Sequence, residues 1–321
     1  MTKTCLLITD RLEPTADLLL AELRRRQVPC LRWNLDQYPS ACQLTFNAST
    51  RNFGVKVTAD GRELDLADVG SIWCRGLRPS GFSDDLAPNE RDFAETGARR
   101  ALDALMTVGD FVWINNPARN RRANSKPAQL YVAQQVGLDI PSTVITNDPD
   151  EAKSFIAGSD GEVAYKSLSQ NLEVDPDKAL YTGVLTKKEI ANLDLIRQTP
   201  GIFQELVPKA YEVRTTVVGR KVFSARIDSQ AHAETKIDWR HLPFEVDDRP
   251  LELPSDIERK VHALMDAFGL VYGAFDFIVT PDARHVFLEI NPAGQYMWIE
   301  AKTGLGITAA LVDALVDPCA A

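Results

Sequence analysis

The chain has few cysteines and none of them form an evident pair. Its five (Cys5, Cys30, Cys42, Cys74 and Cys319) are odd in number and scattered, with no CxxC spacing. That argues against a disulfide framework and for reduced thiols in a cytoplasmic protein. It has no uninterrupted apolar run long enough to span a bilayer, so no membrane partner is expected. The apolar start Cys5-Leu6-Leu7-Ile8 meets Asp10 and Arg11 almost at once, so no signal peptide is expected either. An excess of positive charge is also missing: the net charge of −9 argues against general nucleic-acid binding. There is no internal repeat and no low-complexity tract, which sets aside repeat arrays and biased segments.

What is present is a globular composition, 45% hydrophobic and 25% charged, over 321 residues. That length is too great for one ordinary core and predicts two or three subdomains. Basic residues cluster at Arg24-Arg25-Arg26, at Arg99-Arg100, and at Arg119 with Arg121-Arg122. They read either as solvated helix faces and loops or as a surface that receives an anionic ligand.

Strand, helix, strand over residues 4–9, 14–26 and 29–35 opens an α/β domain with parallel pairing. Residues 53–57 and 63–66 flank Asp60-Gly61, a hairpin turn signal. Residues 69–75 and 111–115 read as strands and 89–105 as a helix, so this domain ends near residue 120. A helix follows over 126–136, a strand over 142–146, a helix over 149–157 and a strand over 162–167. Residues 169–177 show no period and read as a loop. Residues 201–205, 211–218 and 221–227 alternate like sheet, with Gly219-Arg220 as a turn. Residues 256–268 place Ile257, Val261, Leu264 and Phe268 on one helix face, and 308–316 is a closing helix.

The most informative stretch is a pair of apolar, β-prone runs, Phe275-Asp276-Phe277-Ile278-Val279 and His285-Val286-Phe287-Leu288-Glu289-Ile290-Asn291-Pro292. They read as a hairpin or adjacent antiparallel strands. Glu289 and Asn291 are two apart and share a face, and Asp276 can join them. Carboxylates in so apolar a setting need a partner or a metal, and three oxygen donors suit Mg²⁺ with substrate phosphates completing its shell. Upstream, Lys126 opens a helix and Lys166 lies in the run Val163-Ala164-Tyr165-Lys166, where a lysine reads either as a solvent-facing edge guard or as a compact ammonium that can hold phosphate oxygens. Phe203-Gln204-Glu205-Leu206-Val207 ends a strand whose backbone can pair with an adenine edge. Glu212 can accept from ribose hydroxyls, or pair with Arg214 as surface charge. Arg226 and Asp228 continue one face of the next strand.

In that order and spacing, residues from about Asn116 to Leu315 resemble the ATP-grasp superfamily of carboxylate–amine ligases. The resemblance implies an α/β (α+β) ATP-grasp fold with an N-terminal α/β pre-ATP-grasp domain. Its expected divisions are residues 1–120, a central subdomain at 121–197 and a C-terminal subdomain at 198–321. It implies ATP and Mg²⁺ as cofactors, Lys126 and Lys166 on phosphates, Glu205, Leu206 and Val207 as the adenine hinge, Glu212 on ribose, and Asp276, Glu289 and Asn291 as metal ligands. Further stretches resemble the ligases that mature graspetides, the microviridin-type ribosomal peptides. They include Ser71-Ile72-Trp73-Cys74-Arg75, Trp113-Ile114-Asn115-Asn116-Pro117 and Tyr211-Glu212-Val213-Arg214-Thr215.

That resemblance implies an enzyme that activates Asp or Glu side chains of a precursor peptide and joins them to Ser or Thr hydroxyls or Lys amines. A leader segment would assist, docking between the middle domain and the Arg220-Lys221 hairpin, and the enzyme would be a homodimer. Arg214, or else Arg226, would orient the acceptor carboxylate, and Asp228 is a candidate base. Arg75, Arg78 and Arg240 would add positive charge for an acidic core peptide. The alternatives are a ligase of the glutamate-adding or glutathione-synthesising kind, and a non-catalytic nucleotide- or peptide-binding protein.

Overall fold

A computed structural model describes residues 3–109, 111–168, 183–233, 235–239 and 247–317. The loop expected at 169–177, Arg240 and Cys319 lie outside the described residues. The chain opens with β1 (Thr4–Thr9), α1 (Pro14–Arg25), β2 (Cys30–Asn34), β3 (Gln43–Ala48), β4 (Phe53–Ala59), β5 (Arg62–Asp65), β6 (Val69–Cys74), α2 (Pro88–Ala104) and β7 (Val112–Ile114). Four of these strands form a parallel sheet in the order β2-β1-β6-β7. Its central strand is apolar on both faces because both are covered. Cys5 and Leu7 pack on α1, while Leu6 and Ile8 pack towards α2 and a small antiparallel sheet, β3-β4-β5. Asp60 and Gly61 both take positive φ, 50° and 70°, as a two-residue hairpin turn of this kind demands. Strand β3 went unassigned in the sequence reading.

The middle of the chain holds α3 (Pro117–Ala123), α4 (Lys126–Gln135), β8 (Thr143–Thr146), α5 (Pro149–Gly158), β9 (Val163–Ser167), β10 (Gly183–Val184), α6 (Lys187–Ala191) and β11 (Gly201–Glu205). Its antiparallel sheet runs β10-β9-β11-β8. The last part holds β12 (Tyr211–Val218), β13 (Lys221–Ile227), β14 (Asp248–Leu251), α7 (Ser255–Phe268), β15 (Tyr272–Val279), β16 (His285–Asn291), α8 (Met297–Thr303) and α9 (Ile307–Val316). Its antiparallel sheet runs β14-β13-β12-β15-β16.

One face of this five-stranded sheet is sealed. Val213, Val217, Phe275, Phe277 and Phe287 meet Ile257, Val261, Leu264 and Phe268 of α7, the four residues whose spacing predicts a buried stripe. α7 stops at Gly269, whose φ of 66° is the left-handed cap that glycine adopts without steric cost. On the opposite face, α8 and α9 cover Val218, Ala225 and Tyr272 and carry the chain back against α1 and the parallel sheet. Among the described residues, no helix is long and apolar enough to cross a membrane.

Candidate active site

The site is built on the β15–β16 hairpin. Cross-strand partners share a face, and Asp276 lies opposite Glu289 while Ala274 lies opposite Asn291. A bulge decides this. The ladder steps from Phe277–Phe287 to Asp276–Glu289, which leaves Leu288 as the extra residue. Without it Glu289 would lie opposite Phe275 and point into the sealed core. As it is, Asn291 Nδ2 donates to Glu289 Oε1 at 2.9 Å and to Asp276 Oδ2 at 3.3 Å. The three expected residues therefore converge.

Cations reach this cluster from three elements. Arg214 is the partner of Asp276 across β12. Its Nη1 donates to both Asp276 oxygens, at 2.8 and 2.7 Å, and its Nη2 to the Gln295 carbonyl at 3.1 Å. Burial works against the Arg214 charge, yet Asp276 more than compensates and raises the guanidinium above its ordinary range. Lys126, the first residue of α4, ion-pairs with Glu289. Burial alone would push the Glu289 carboxyl up; Lys126, Asn291 and the nearby charge of Lys166 outweigh it and hold the group well below the usual carboxylate range. Lys166, on β9, donates to Gln204 Oε1 at 2.8 Å. The central and C-terminal sheets thus present opposite charges to one another.

Two carboxylates and a carboxamide within hydrogen-bonding distance of one another make an all-oxygen donor set that suits Mg²⁺. Here Arg214 and Lys126 neutralise the two carboxylates. Asn291 turns its nitrogen towards them, and a half-turn of the amide would present oxygen instead.

Glu212 lies on the same face as Arg214, two residues before it on β12. It accepts from Lys209 Nζ at 2.6 Å and is buried. Burial raises its carboxyl above the ordinary range despite Lys209, and the charge of Asp276 acts in the same sense. The hinge expected at Glu205, Leu206 and Val207 narrows in the structure. The Glu205 N–H donates to Ser142 O and the Leu206 N–H to Glu162 O, each at 2.9 Å. Those two donors serve the sheet and are not open to a base edge. The Val207 side chain packs on Ile278 and Val286.

Arg226 and Asp228 do not join the cluster. Arg226 lies opposite Val213, on the face sealed by α7, and stacks 3.9 Å over the Tyr211 ring. Its Nε donates to Asp228 at 2.6 Å, and Arg249 flanks the same carboxylate at 3.5 Å. The signal was present in the sequence: a two-residue turn at Gly219-Arg220 fixes the register, and parity counted back from it sets Arg226 against Val213 rather than Arg214. At that turn, Arg220 pairs with Asp266 at 3.0 Å and Lys221 with Asp313 at 2.7 Å.

Sequence reasoning assigned no role to several amides, because an uncharged side chain inside a motif does not show what it bonds. Gln204 takes Lys166 on one end and donates to Thr143 Oγ1 at 2.9 Å on the other. Asn115 leaves the end of β7 with all its hydrogen-bonding capacity used. Its Oδ1 accepts from Val271 and Tyr272 N–H at 2.8 and 2.9 Å, and its Nδ2 donates to Tyr272 and Pro292 carbonyls at 2.7 and 2.9 Å. Arg75, at the end of β6, donates to the Ala293 carbonyl. The parallel sheet therefore holds both strands of the site hairpin.

The chain is similar to several known proteins. Residues 4–121 match the family model described as the MvdD pre-ATP grasp domain. The macrocyclase MdnC of Microcystis aeruginosa MRC, solved with the precursor peptide MdnA, is 32% identical with a TM-score of 0.88, over 98% of this chain and 99% of that one. A RiPP-associated ATP-grasp ligase of Chryseobacterium gregarium, solved with ADP and a leader and core peptide, is 29% identical with a TM-score of 0.90, over 98% of this chain and 97% of that one. Among curated proteins, the tetrahydromethanopterin:alpha-L-glutamate ligase of Methanococcus maripaludis is 26% identical over 66% of this chain and 72% of its own. With one relative near a third identical and aligned almost end to end, the chain belongs to the ATP-grasp ligases, in the graspetide-type group of peptide ligases.

Proposed function

We propose that this ATP-dependent ligase closes rings in a ribosomal precursor peptide, joining Asp or Glu side chains to Ser or Thr hydroxyls as esters or to Lys amines as amides. The observation that carries the reading is the convergence of Asp276, Glu289 and Asn291 with Lys126 and Arg214. It occurs in a chain that aligns along its whole length with a macrocyclase bound to its precursor.

A carboxylate is a poor electrophile because oxide cannot leave. Its oxygen attacks the γ-phosphorus of ATP, the bond to the β-phosphate oxygen breaks, and ADP departs. The hydroxyl or amine of the peptide then attacks the acyl carbon, phosphate leaves with the bonding pair, and the nucleophile's proton passes to the departing phosphate. Each ring therefore consumes one ATP and removes the elements of one water from the peptide. Asp276, Glu289 and Asn291 would hold Mg²⁺, which supplies charge neutralisation at the transferring phosphoryl group. Lys126 and Lys166 brace phosphate oxygens, the Val207 N–H meets the adenine edge, and Glu212 accepts from ribose. Arg214 orients the acceptor carboxylate from beside Asp276.

A leader segment of the precursor favours the active form, and the enzyme works as a cytoplasmic homodimer. The free state of Cys5, Cys30, Cys42 and Cys74 supports a reducing compartment.

Glu212→Gln is expected to raise KM for ATP about tenfold with a smaller change in kcat, since losing charged acceptance of a ribose hydroxyl costs about 1.4 kcal/mol. An unchanged KM would remove Glu212 from the nucleotide site. The decisive experiment incubates a candidate precursor with enzyme and Mg-ATP and reads the peptide by mass spectrometry. The mass should drop by one water per ring, with one ADP released for each. Mild alkali should restore the water to esters and leave amides intact. ADP release supported by free glutamate or a dipeptide, without precursor, would favour the glutamate-adding reading that the Methanococcus relative represents.

A further inference from the structure

The strand that carries Glu289 and Asn291 is an edge strand, since β16 ends its sheet. Ile290, between them, lies opposite Phe275 and is buried with its side chain in the core beside α7. An edge leaves alternate backbone groups without a partner strand. At Ile290 a single side chain supplies both partners. Gln129 Oε1 accepts from the Ile290 N–H at 3.1 Å, and Gln129 Nε2 donates to the Ile290 carbonyl at 2.9 Å. The same Nε2 donates to Ala123 O at 2.7 Å, which ties the contact to the end of α3. Gln129 is itself 1% exposed.

Its place on α4 is informative. Gln129 sits three residues after Lys126, so both project from one side of the helix. Lys126 takes the Glu289 carboxylate and Gln129 takes the next peptide group. One helix turn therefore holds a site side chain and the backbone that aims it. We infer that Gln129 is a positioning residue that sets the register of Glu289 and Asn291, and through it the affinity of the site for a divalent cation. This rests on the metal role proposed above for those two residues.

The alternative is that Gln129 merely caps an edge strand, and metal titration separates the two. Gln129→Met keeps length and removes both polar functions. For Gln129→Met, the Mg²⁺ concentration giving half-maximal binding of a non-hydrolysable ATP analogue, read by calorimetry, should rise about tenfold. That is the scale at which groups supporting metal ligands act. Affinity for the same nucleotide in EDTA should change less than about twofold by the same reasoning. Hydrogen exchange should accelerate at the Ile290 amide while amides of β12 and β15 keep their protection.

An unchanged Mg²⁺ midpoint overturns the proposal, and so does exchange that rises across the whole sheet. A wild type with no Mg²⁺-dependent gain in nucleotide affinity overturns the metal reading and this role together. A normal wild type with a variant that titrates like it overturns this role alone. If Gln129→Met does not fold, Gln129→Glu is titrated instead. It keeps an acceptor for the Ile290 N–H and loses the donor to both carbonyls. The same rise in midpoint supports the role, and no rise overturns it.

Discussion

Glu289→Gln is expected to lower peptide-dependent ADP release by at least ~10²-fold, the scale on which single charge-stabilising groups act in phosphoryl transfer. The variant should still fold, with a loss of stability at neutral pH that is small beside the loss of turnover. Glutamine still accepts from Lys126 and from Asn291, and replacing one of two neighbouring carboxylates relieves their repulsion. What disappears is the anionic oxygen that opposes Lys126 and would hold a divalent cation.

A pH titration of stability checks the electrostatic part. Glu289 is held below the usual carboxylate range in the folded protein. Its contribution is therefore present above the unfolded-state value and is lost as pH falls through the folded one. The variant should lack that component of acid unfolding. Near-normal ADP release by the variant, in a folded enzyme with precursor present, would remove Glu289 from the metal site.

Arg214→Met should damage both stability and activity. It takes the guanidinium from both oxygens of the partly buried Asp276, and it frees the Gln295 carbonyl. Removing one member of such a pair costs about 3–5 kcal/mol when the remaining charge stays desolvated, and the Asn291 contact places the expectation near ~3. Urea unfolding at neutral pH reads it as a lower midpoint with an unchanged slope. Arg214→Met combined with Asp276→Leu should regain most of the stability and none of the turnover, because the pair is replaced by packing while the site loses a carboxylate. An Arg214→Met enzyme as stable as wild type would mean that Asp276 is solvated in the folded state.

Much of the fold was legible because its signals are local. Strands β12 and β13 fall on the residues whose alternation predicts them, and α7 buries the four residues whose spacing predicts a stripe. Polar edges were harder. Strand β3 alternates exposed Gln43 and Thr45 with half-buried Leu44 and Phe46, too weak a pattern to stand alone. The face that Arg226 shares with Val213 is readable by counting back from the turn before it, and not from its own strand alone. Which N–H groups of the stretch expected as the hinge stay available depended on Ser142 and Glu162, whose carbonyls lie just before β8 and β9.

By itself the sequence placed most of the elements and the shared face of Glu289 and Asn291, because both follow from periodicity and spacing along one chain, while the ligase class came from the resemblance of its ordered motifs to a known superfamily. Tertiary structure alone decided that Asp276 faces them, since that depends on the bulge at Leu288 and therefore on how two strands pair. It also decided which cation meets which carboxylate, and that the buried amides Asn115, Gln129 and Gln204 brace the site. An uncharged side chain shows its role only when the backbone it completes has been brought beside it.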